Sequence, residues 1–492
     1  MKNILLVLVC MHSCLCMLAQ QDLGIRNSNY SGIQGALLNP GAIAGSTLAW
    51  DVNVFSMGEV FDNTFLYAPK SSLPFFGIKR IIDGSIHENL FRTRYSQQDA
   101  NKLYNLTLST EILGPSFFFS VAKKHKIGFT VAGRAYTNIK DIPGNIAQNA
   151  FAYLKEKDLW NTSFNDNTSR INSMGWLEYG LHYATVLYSK GRHELKAGIS
   201  LNYLQGIAAA YVKNTHINYR IGDTTNINFS ATSVDYGRTD FDAYKKINDY
   251  NDLNHGHGFG ADIGFIYVRF REEAASSVQP GEGMRDPNDK SSYIYRLGIS
   301  LLDMGSINFN RNTAAYHLQA NNANFADWGR SKFSGNAQLD QTLSAVFYQG
   351  DSAKSFSSNH FNMALPAAIS IQADWNVYKN FFANMTIIKG FGHGNKQGVT
   401  RPDVYSVTPR YETKWLEISV PVSILYYNHW QPRIGLAARA GYFFIGGDAL
   451  GGLLKFNDLE GVDFYAGIHF FITELEAASK KNKNHKKTSA RQ

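Results

Sequence analysis

HGHGFGADIGFIYVRF, residues 255–270, can be interpreted as a metal site, as a phosphate-binding loop or as a strand. Two histidines spaced by one residue could ligate a metal, and four glycines could surround a phosphate. From residue 258 onward, however, the residues alternate with the period of two that is typical of a strand. The apolar face is Phe259, Ala261, Ile263, Phe265 and Tyr267, and the opposite face is Gly258, Gly260, Asp262 and Gly264.

The other two interpretations fail on particular residues. A dinucleotide-binding loop needs a glycine at position 263 and a helix after it, and Ile263 together with the period of two excludes both. His255 and His257 have no identifiable third ligand, so we expect solvated histidines at a loop-to-strand junction and no metal. The stretch is therefore predicted to be a strand with one apolar face and one small, polar face.

The same alternation recurs along the chain. LKAGISLNY (195–203), AAISIQADWNV (367–377) and LEISVPVSILY (416–426) each place apolar residues on one face and small or polar residues on the other. YIYRLGISL, IGFTVAGRAYT and RIGLAARAGYFF behave alike. Repeated strands of this kind predict an all-β fold, which could be a soluble sandwich or an antiparallel transmembrane β-barrel.

Three features favour the barrel. Its connections alternate between tight turns and long polar loops, which is the outer-membrane pattern of periplasmic turns and extracellular loops. Its polar faces carry ionisable residues, whereas a sandwich would bury its inner face dry. Aromatic residues end the apolar faces, as girdles at a lipid boundary do, and they are Tyr203, Trp375, Tyr426 and Tyr442.

The ionisable residues of the polar faces are candidates to line a wide, polar lumen. Their acidic and basic members can pair, either as a structural network that holds an N-terminal plug or as a polar path that opens when the plug moves. The candidates are Arg134, Glu178, Asp262, Arg296, Asp374, Arg410, Glu417 and Arg439.

The connections predict the number of strands. The expected turns are AKKHK, SKGRH, YKN, NHWQP and 271–290, and the expected long loops are 139–173, 207–256, 306–361, 393–412 and 446–462. Eleven strands then lie between Ser116 and Ile472, and TLAWDVNVF and NTFLYAP make thirteen. Two periplasmic ends require an even number, so we expect one more strand within 69–115, with YNLTLST the best candidate, and fourteen in total.

Four regions are predicted along the chain. Residues 1–19 have the cationic start and apolar run of a signal peptide, and they contain all three cysteines. Residues 20–46 are predicted to be a compact N-terminal hatch or plug, because GIQGALLNPGAIAG is too apolar to remain in solvent. Residues 47–472 are the predicted barrel, and 473–492 a basic, disordered periplasmic tail.

Charge and motifs exclude other classes of function. The formal net charge of +8 falls to about +1 when Lys2 and the six basic residues of KKNKNHKKTSARQ are set aside, so no basic face for nucleic acid is expected. Gly-x-Ser-x-Gly and His-Glu-x-x-His are both absent from the sequence, so neither an enzyme nor a cofactor is expected. The expected surroundings are lipids of the outer membrane.

GALLNPGAIAG (35–45) resembles the Asn-Pro-Ala motif near the N-terminus of long-chain fatty acid transporter (FadL-like) barrels and of PorV-type barrels of the type IX secretion system. The match falls on Asn39 and Pro40, and Gly41 replaces the usual alanine. Most of the mature chain resembles an uncharacterised family of that class, which implies a fourteen-stranded barrel with an N-terminal hatch. Two functions stay open, namely passage of a small or hydrophobic ligand and a surface anchor or accessory of an envelope or secretion complex.

Overall fold

A computed structural model describes residues 22–72, 91–96, 102–152, 154–240, 250–271, 293–326, 333, 335–394, 396–426, 430–474 and 477. The expected signal peptide (1–19) and most of the expected tail lie outside the described residues.

The described residues contain 25 strand segments. In chain order they are β1 (Leu48–Asn63), β2 (Leu66–Tyr67), β3 (Arg92–Thr93), β4 (Leu103–Leu113), β5 (Ser116–Ala122), β6 (His125–Pro143), β7 (Ser163–Asp166), β8 (Arg170–Lys190), β9 (His193–Ile221), β10 (Ile227–Thr239), β11 (Gly256–Phe270), β12 (Tyr293–Phe309), β13 (Thr313–Ala320), β14 (Ala323–Phe325), β15 (Phe356–Ser358), β16 (Phe361–Ala364), β17 (Ala368–Tyr378), β18 (Phe381–Gly390), β19 (Asp403–Glu412), β20 (Leu416–Ser419), β21 (Val422–Tyr426), β22 (Trp430–Ile434), β23 (Leu436–Ala440), β24 (Phe443–Gly447) and β25 (Gly461–Thr473).

Helices are few and short. The α-helices are α1 (Gly144–Phe151) and α2 (Asn336–Phe347), and the 3₁₀ turns are Gly32–Leu37, Pro40–Ile43, Lys157–Leu159 and Tyr250–Leu253. None of the helices in the described part of the chain has the length and apolar character needed to cross a membrane.

Fourteen strands form one closed antiparallel barrel. Four of them are interrupted, so β4 with β5, β16 with β17, β20 with β21, and β22 with β23 each make one barrel strand. The last strand, β25, pairs with β1 from Leu48↔Thr473 to Asp62↔Gly461 and closes the ring. Closure matters because an open sheet edge would leave unpaired backbone groups in a bilayer.

The two ends of the barrel differ. The turn end carries short connections such as those between β5 and β6 and between β8 and β9, and the loop end carries long ones. The longest strand, β9, has 29 residues and extends beyond the rim at the loop end, where it pairs with β10. There β10 continues through β13 and β14 into a small sheet, and α2 covers this sheet with Phe347, which packs against Val234 and Leu318.

Large apolar side chains cover the outside of the barrel. Leu181, Leu201 and Val407 are each more than half exposed, as expected for side chains whose partner is lipid. Aromatic residues gather at both ends of this apolar band, with Tyr378, Phe381, Trp415 and Phe443 at the turn end and Tyr426 and Trp430 at the loop end. The predicted fold class, an all-β transmembrane barrel, is confirmed.

The opening stretch is β11, with the predicted faces. Phe259 and Phe265 are exposed on the outside, whereas Gly260 and Gly264 face the interior. His255 was predicted to be solvated, and this was wrong because the residue is fully buried. Its backbone N–H donates to the carbonyl of Gly206, and its carbonyl accepts from the N–H groups of Asn310 and Arg311.

The predicted number of fourteen is confirmed, but three predicted boundaries were wrong. NTFLYAP contributes only β2, which pairs with β3 in a separate two-stranded sheet. YNLTLST and SFFFSVA are the two halves of one interrupted strand, β4 with β5. RIGLAARAGYFF turns at Gly441, whose φ of +61° permits the reversal, and so supplies β23 and β24.

The predicted loop 393–412 hides a strand, β19. Its inward residues Ser406, Thr408, Arg410 and Glu412 are all polar, and Pro409 interrupts the outward face, so the segment reads as a loop. The extra strand reverses the direction of the following ones. β21 therefore ends and β22 begins at the loop end, where NHWQP was expected to be a periplasmic turn, and the tight turn Thr413–Trp415 lies at the turn end.

Arginine on the lipid face tests the membrane orientation. Ile199 is exposed on the outside of β9, so Ile199→Arg is expected to lower the free energy of unfolding by about 2–4 kcal/mol if it lies at the bilayer midplane. Phe456 is even more exposed, at 65%, but lies in the segment between β24 and β25. Phe456→Arg is the matched control and should change stability by less than about 0.5 kcal/mol. The measurement is urea unfolding from lipid vesicles. If both substitutions lowered the free energy of unfolding equally, Ile199 would not face lipid.

Candidate functional site

The interior of the barrel holds the N-terminal segment, defined as Asp22–Thr47. All its residues are buried except Asn27, Leu37 and Ala42, which are partly buried. Its 3₁₀ turn Gly32–Leu37 packs Ile33 against Leu113 and Phe118, whose side chains point inward from β4 and β5. The segment therefore lies inside the ring of strands, where each of its polar groups must find a partner.

Asn39 and Pro40 dock into a notch in the wall, formed by Gly198 of β9 and Gly264 of β11. These two glycines are cross-strand partners, and a β-carbon on either would overlap the backbone of Pro40 or the side chain of Asn39. Only glycine therefore allows this close approach. The Asn39 amide donates to the carbonyl of Phe265 at 3.2 Å, and its oxygen accepts from the backbone N–H of Gly41 at 2.9 Å.

The first residues of the N-terminal segment meet a group of buried charges. The Arg26 guanidinium pairs with Asp22 at 3.0 Å and with Glu111 of β4. The backbone N–H of Leu23 donates to Asp448 Oδ2 at 2.9 Å. These charge-assisted bonds satisfy groups that would be costly to bury alone.

A second charged group surrounds Asn29. Its side-chain amide donates to Glu412 Oε1 at 2.7 Å, and Glu412 Oε2 accepts from Arg410 Nε at 2.7 Å. Arg410 also pairs with Asp374 at 2.7 Å, and Arg296 reaches the other oxygen of Asp374 at 2.7 Å. The carboxylate of Asp374 on β17 thus balances two guanidinium groups, one from β12 and one from β19.

Two buried lysines hold the end of the N-terminal segment. Lys196 Nζ donates to the carbonyl of Gly45 at 3.2 Å, and Lys126 Nζ donates to the carbonyl of Ser46 at 3.2 Å. Each ammonium also has a carboxylate close by, Glu194 for Lys196 and Glu474 for Lys126. The carbonyls at this end are therefore bonded although no regular structure surrounds them.

Arg134 links the N-terminal segment to the loop end. Its guanidinium pairs with Glu178 at 2.8 Å and with Asp303 at 2.6 Å, and its Nε lies 3.6 Å from Glu111. Asp303 also pairs with Arg401, which precedes β19 in the connection from β18. Since Glu111 also binds Arg26, a continuous chain of buried charges joins the N-terminal segment to that connection.

An apolar layer lies on the loop-end side of these charges. Trp176 is nearer the loop end than Glu178 on β8, and Tyr136 is nearer than Arg134 on β6. Val399, from the connection that carries Arg401, packs into the same layer. Its thirteen buried residues are Tyr136, Met174, Trp176, Leu204, Ala209, Tyr211, Ile307, Phe309, Ala315, Phe361, Met363, Leu365 and Val399.

All eight ionisable residues proposed from the sequence face the interior and are buried or partly buried. Arg439 pairs with Glu417 at 3.2 Å, and Asp262 accepts from Asn202 at 3.0 Å. Five other charged residues of these groups were not predicted. Glu111, Asp303 and Glu412 pair directly with members of the eight, and Arg26 and Arg401 pair in turn with Glu111 and Asp303. Asp303 has a φ of +52° beside a bulge that breaks the alternation, and Arg401 lies outside any strand, so neither carried a periodic signal.

The interior offers little for a metal or for nucleophilic catalysis. Within the described ranges no three side chains of His, Cys, Asp or Glu are grouped to hold a metal ion. The buried ring of His182 bonds the hydroxyls of Ser200 at 2.7 Å and Thr130 at 2.9 Å. A nucleophilic serine needs its histidine oriented by a carboxylate or similar group, and Thr130 occupies that position.

Comparison with known proteins gives a family and a set of distant folds. Residues 44–448 match a family described as a family of unknown function (DUF5723). A search of curated protein sequences found no match.

Solved outer-membrane barrels show a similar arrangement of the chain. The toluene transporter TbuX of Ralstonia pickettii is 9% identical, with a TM-score of 0.40 over 90% of this chain and 94% of that one. The toluene transporter TodX of P. putida is 7% identical, with a TM-score of 0.40 over 89% and 92%. The translocator domain of the autotransporter NalP of Neisseria meningitidis is 7% identical, with a TM-score of 0.30 over 92% and 99%. Likenesses this distant do not decide between transport and another role.

The glycine notch can be tested by one methyl group. Gly198→Ala is expected to push Pro40 off the wall, because the new β-carbon overlaps backbone atoms that cannot rotate away. Overpacking of this kind costs about 1–3 kcal/mol. We expect faster trypsin cleavage after Arg26 in the folded barrel.

Gly133→Ala is the matched control for this substitution. Its β-carbon would meet only Leu177 Cδ2, at an ordinary 3.7 Å, so cleavage should stay at the wild-type rate. Equal protection of Arg26 in the two variants would show that the notch does not hold the segment.

Proposed function

The chain belongs to the DUF5723 family of unknown function, and we propose that it is an outer-membrane channel for a small or hydrophobic ligand. In this proposal the N-terminal segment is a plug that closes the lumen at the periplasmic end. The ligand enters at the loop end, passes the apolar layer and leaves when the plug moves. Export by the predicted signal peptide and residence in the outer membrane are part of the proposal.

The layered interior is the observation that supports this function. A barrel that served only as an anchor would need its lumen filled, but it would not need a continuous apolar layer between a polar plug and a long connection. Thirteen buried residues form that layer under the connection of Val399. A hydrophobic molecule can replace such contacts with similar ones, because dispersion and burial are not directional.

Polar contacts suit a plug that must stay bound to the barrel wall at rest and leave it when a ligand passes. Arg26, Asn29 and Asn39 bind the wall through hydrogen bonds and ion pairs. Buried ion pairs contribute little net stability, since desolvation offsets most of their attraction. Water entering the lumen could therefore replace these contacts at a modest cost, whereas a purely apolar interface would strongly resist wetting.

The alternative function is a surface anchor or accessory of an envelope or secretion complex. One observation favours it, namely exposed aromatic side chains outside the barrel strands or at the loop-end sheet. Phe356 is 54% exposed and Phe456 is 65% exposed, and apolar groups of this kind are typical of partner surfaces when they form a patch. Mass spectrometry of molecules that co-purify with the protein separates the two functions. If the protein is a channel, small apolar ligands co-purify with the wild type and are lost in Phe309→Asn. If the protein is an accessory of a complex, another protein co-purifies with it.

Conductance in planar bilayers tests the plug. Removing residues 22–45 is expected to raise conductance, and adding Val399→Ser should raise it further, because the plug and the apolar layer are two barriers in series. A chain lacking residues 480–492 is the matched truncation and should conduct like the full chain. Unchanged conductance after removal of 22–45 from the Val399→Ser variant would mean that the segment does not close the pore.

A further inference from the structure

A pocket of about 180 Å³ opens at the loop-end mouth, beside the connection between β18 and β19. Its walls come from the end of β6, the start of β19 and the end of β21. Phe391, Pro402 and Tyr426 supply apolar and aromatic surface, and Lys140 and Thr400 supply polar groups. The pocket lies outside the apolar layer and next to Arg401, at the place where a ligand would first meet the lumen.

Lys140 is the lysine of the pocket lining, and Asp141 and Asp403 are the carboxylates nearest to it. Its side chain is partly buried and forms no ion pair with any residue that the structure describes. Arg170 lies directly opposite it across β6 and β8, and like charges in that position are unfavourable. Arg170 donates to the carbonyl of Gly394 at 2.7 Å, whereas no described residue forms a hydrogen bond or ion pair with the ammonium of Lys140.

The acidic neighbour Asp403 is already neutralised. Its Oδ2 accepts from Lys389 Nζ at 2.8 Å, and its Oδ1 accepts from the backbone N–H of Gly390 at 3.1 Å. Asp141 is the other carboxylate of the lining. Lys140, Arg170 and Lys389 place three positive charges around these two carboxylates, so the mouth keeps a positive excess.

A further observation indicates an anion at this place. Thr400 Oγ1 is buried without a hydrogen-bond partner among the described residues, although the backbone N–H of Thr400 donates to Asn138 Oδ1 at 2.7 Å. This hydroxyl is a donor in need of an acceptor. Burial lowers the pKa of the nearby His393, and the charges of Lys140 and Lys396 add to that effect.

We propose that this mouth pocket binds a small organic carboxylate. The carboxylate accepts hydrogen bonds from the ammonium of Lys140 and the hydroxyl of Thr400, while the apolar body packs on Phe391 and Pro402. The inference rests on the proposed channel function and gives it a ligand class, an anionic group on a short apolar or aromatic body. The volume admits a molecule of that size and excludes a bulky one.

Calorimetric titration of the full chain in detergent, with benzoate as the probe, tests the site. Lys140→Met is expected to weaken benzoate binding by about tenfold or more, since it removes a charge-assisted hydrogen bond. Lys140→Arg should bind within about threefold of the wild type, because it keeps the charge. Thr400→Val keeps the shape, removes the donor and should weaken binding several-fold, so it tests the site even if Lys140→Met fails to fold.

Two controls make the test specific. Lys155→Met removes an equally cationic but exposed lysine and should leave benzoate binding unchanged. Benzyl alcohol, the neutral analogue, should bind more weakly than benzoate and should not respond to Lys140→Met. The site would be overturned if the wild type did not bind benzoate. It would also be overturned if Lys140→Met and Thr400→Val both bound benzoate with the affinity of the wild type.

Failure of the site and failure of the channel are distinguishable. If benzoate binds through Lys140 but removal of residues 22–45 never raises conductance, the pocket stands and the channel function falls. If conductance rises as expected but benzoate does not bind, the channel function stands and the carboxylate site falls.

Discussion

The pairing of β25 with β1 is the contact on which the rest of the structure depends. Backbone N–H and C=O groups have no water to bind inside a bilayer, so a sheet that crosses it must leave no edge. Closing the ring after fourteen strands gives the backbone groups of every strand a partner. A fourteen-stranded barrel is, however, wider than a barrel of about eight strands, whose interior the side chains of the wall can fill alone. The interior must then hold water or further protein, and here it holds the N-terminal segment, the charged groups and the apolar layer.

Buried charges in the described interior lie mostly beside opposite charges. Arg134 lies between three carboxylates, and Asp374 lies between two guanidinium groups. Removing one member of such a pair costs about 3–5 kcal/mol of stability, because the remaining charge is then buried without a partner. The intact pair itself contributes little to stability. The chain from Arg26 through Glu111, Arg134 and Asp303 to Arg401 therefore couples the N-terminal segment to the connection between β18 and β19.

Much of the wall could be predicted from the sequence, because a period of two separates lipid-facing from lumen-facing residues. That rule gave the faces of β9, β11 and β17 and the inward position of the eight ionisable residues. Membership of an uncharacterised barrel family came instead from the resemblance of the mature chain to that family. It failed where the alternation itself is weak. The inward face of β19 is polar from Ser406 to Glu412, and a tight turn divides the apolar run that contains β23 and β24.

The contents of the lumen were harder to predict because they depend on contacts distant in sequence. Asn39 and Pro40 dock on Gly198 and Gly264, whose role appears only when the strands are adjacent. The charges are met by Asp22, Arg26 and Asn29, which no motif marked. The mouth pocket joins Lys140 to Thr400, 260 positions apart by their residue numbers, and no periodic pattern connects them.

Hydrogen–deuterium exchange of the full chain in lipid nanodiscs tests the central claim, that the N-terminal segment is held inside the closed barrel. The amides of Leu23 and Ile33 donate to Asp448 and Asp51, both at 2.9 Å, in the buried interior. If the segment is docked, peptides covering residues 22–47 exchange as slowly as those of β9. Exchange of these peptides at the rate of an unstructured chain, while the strands stay protected, would contradict the account.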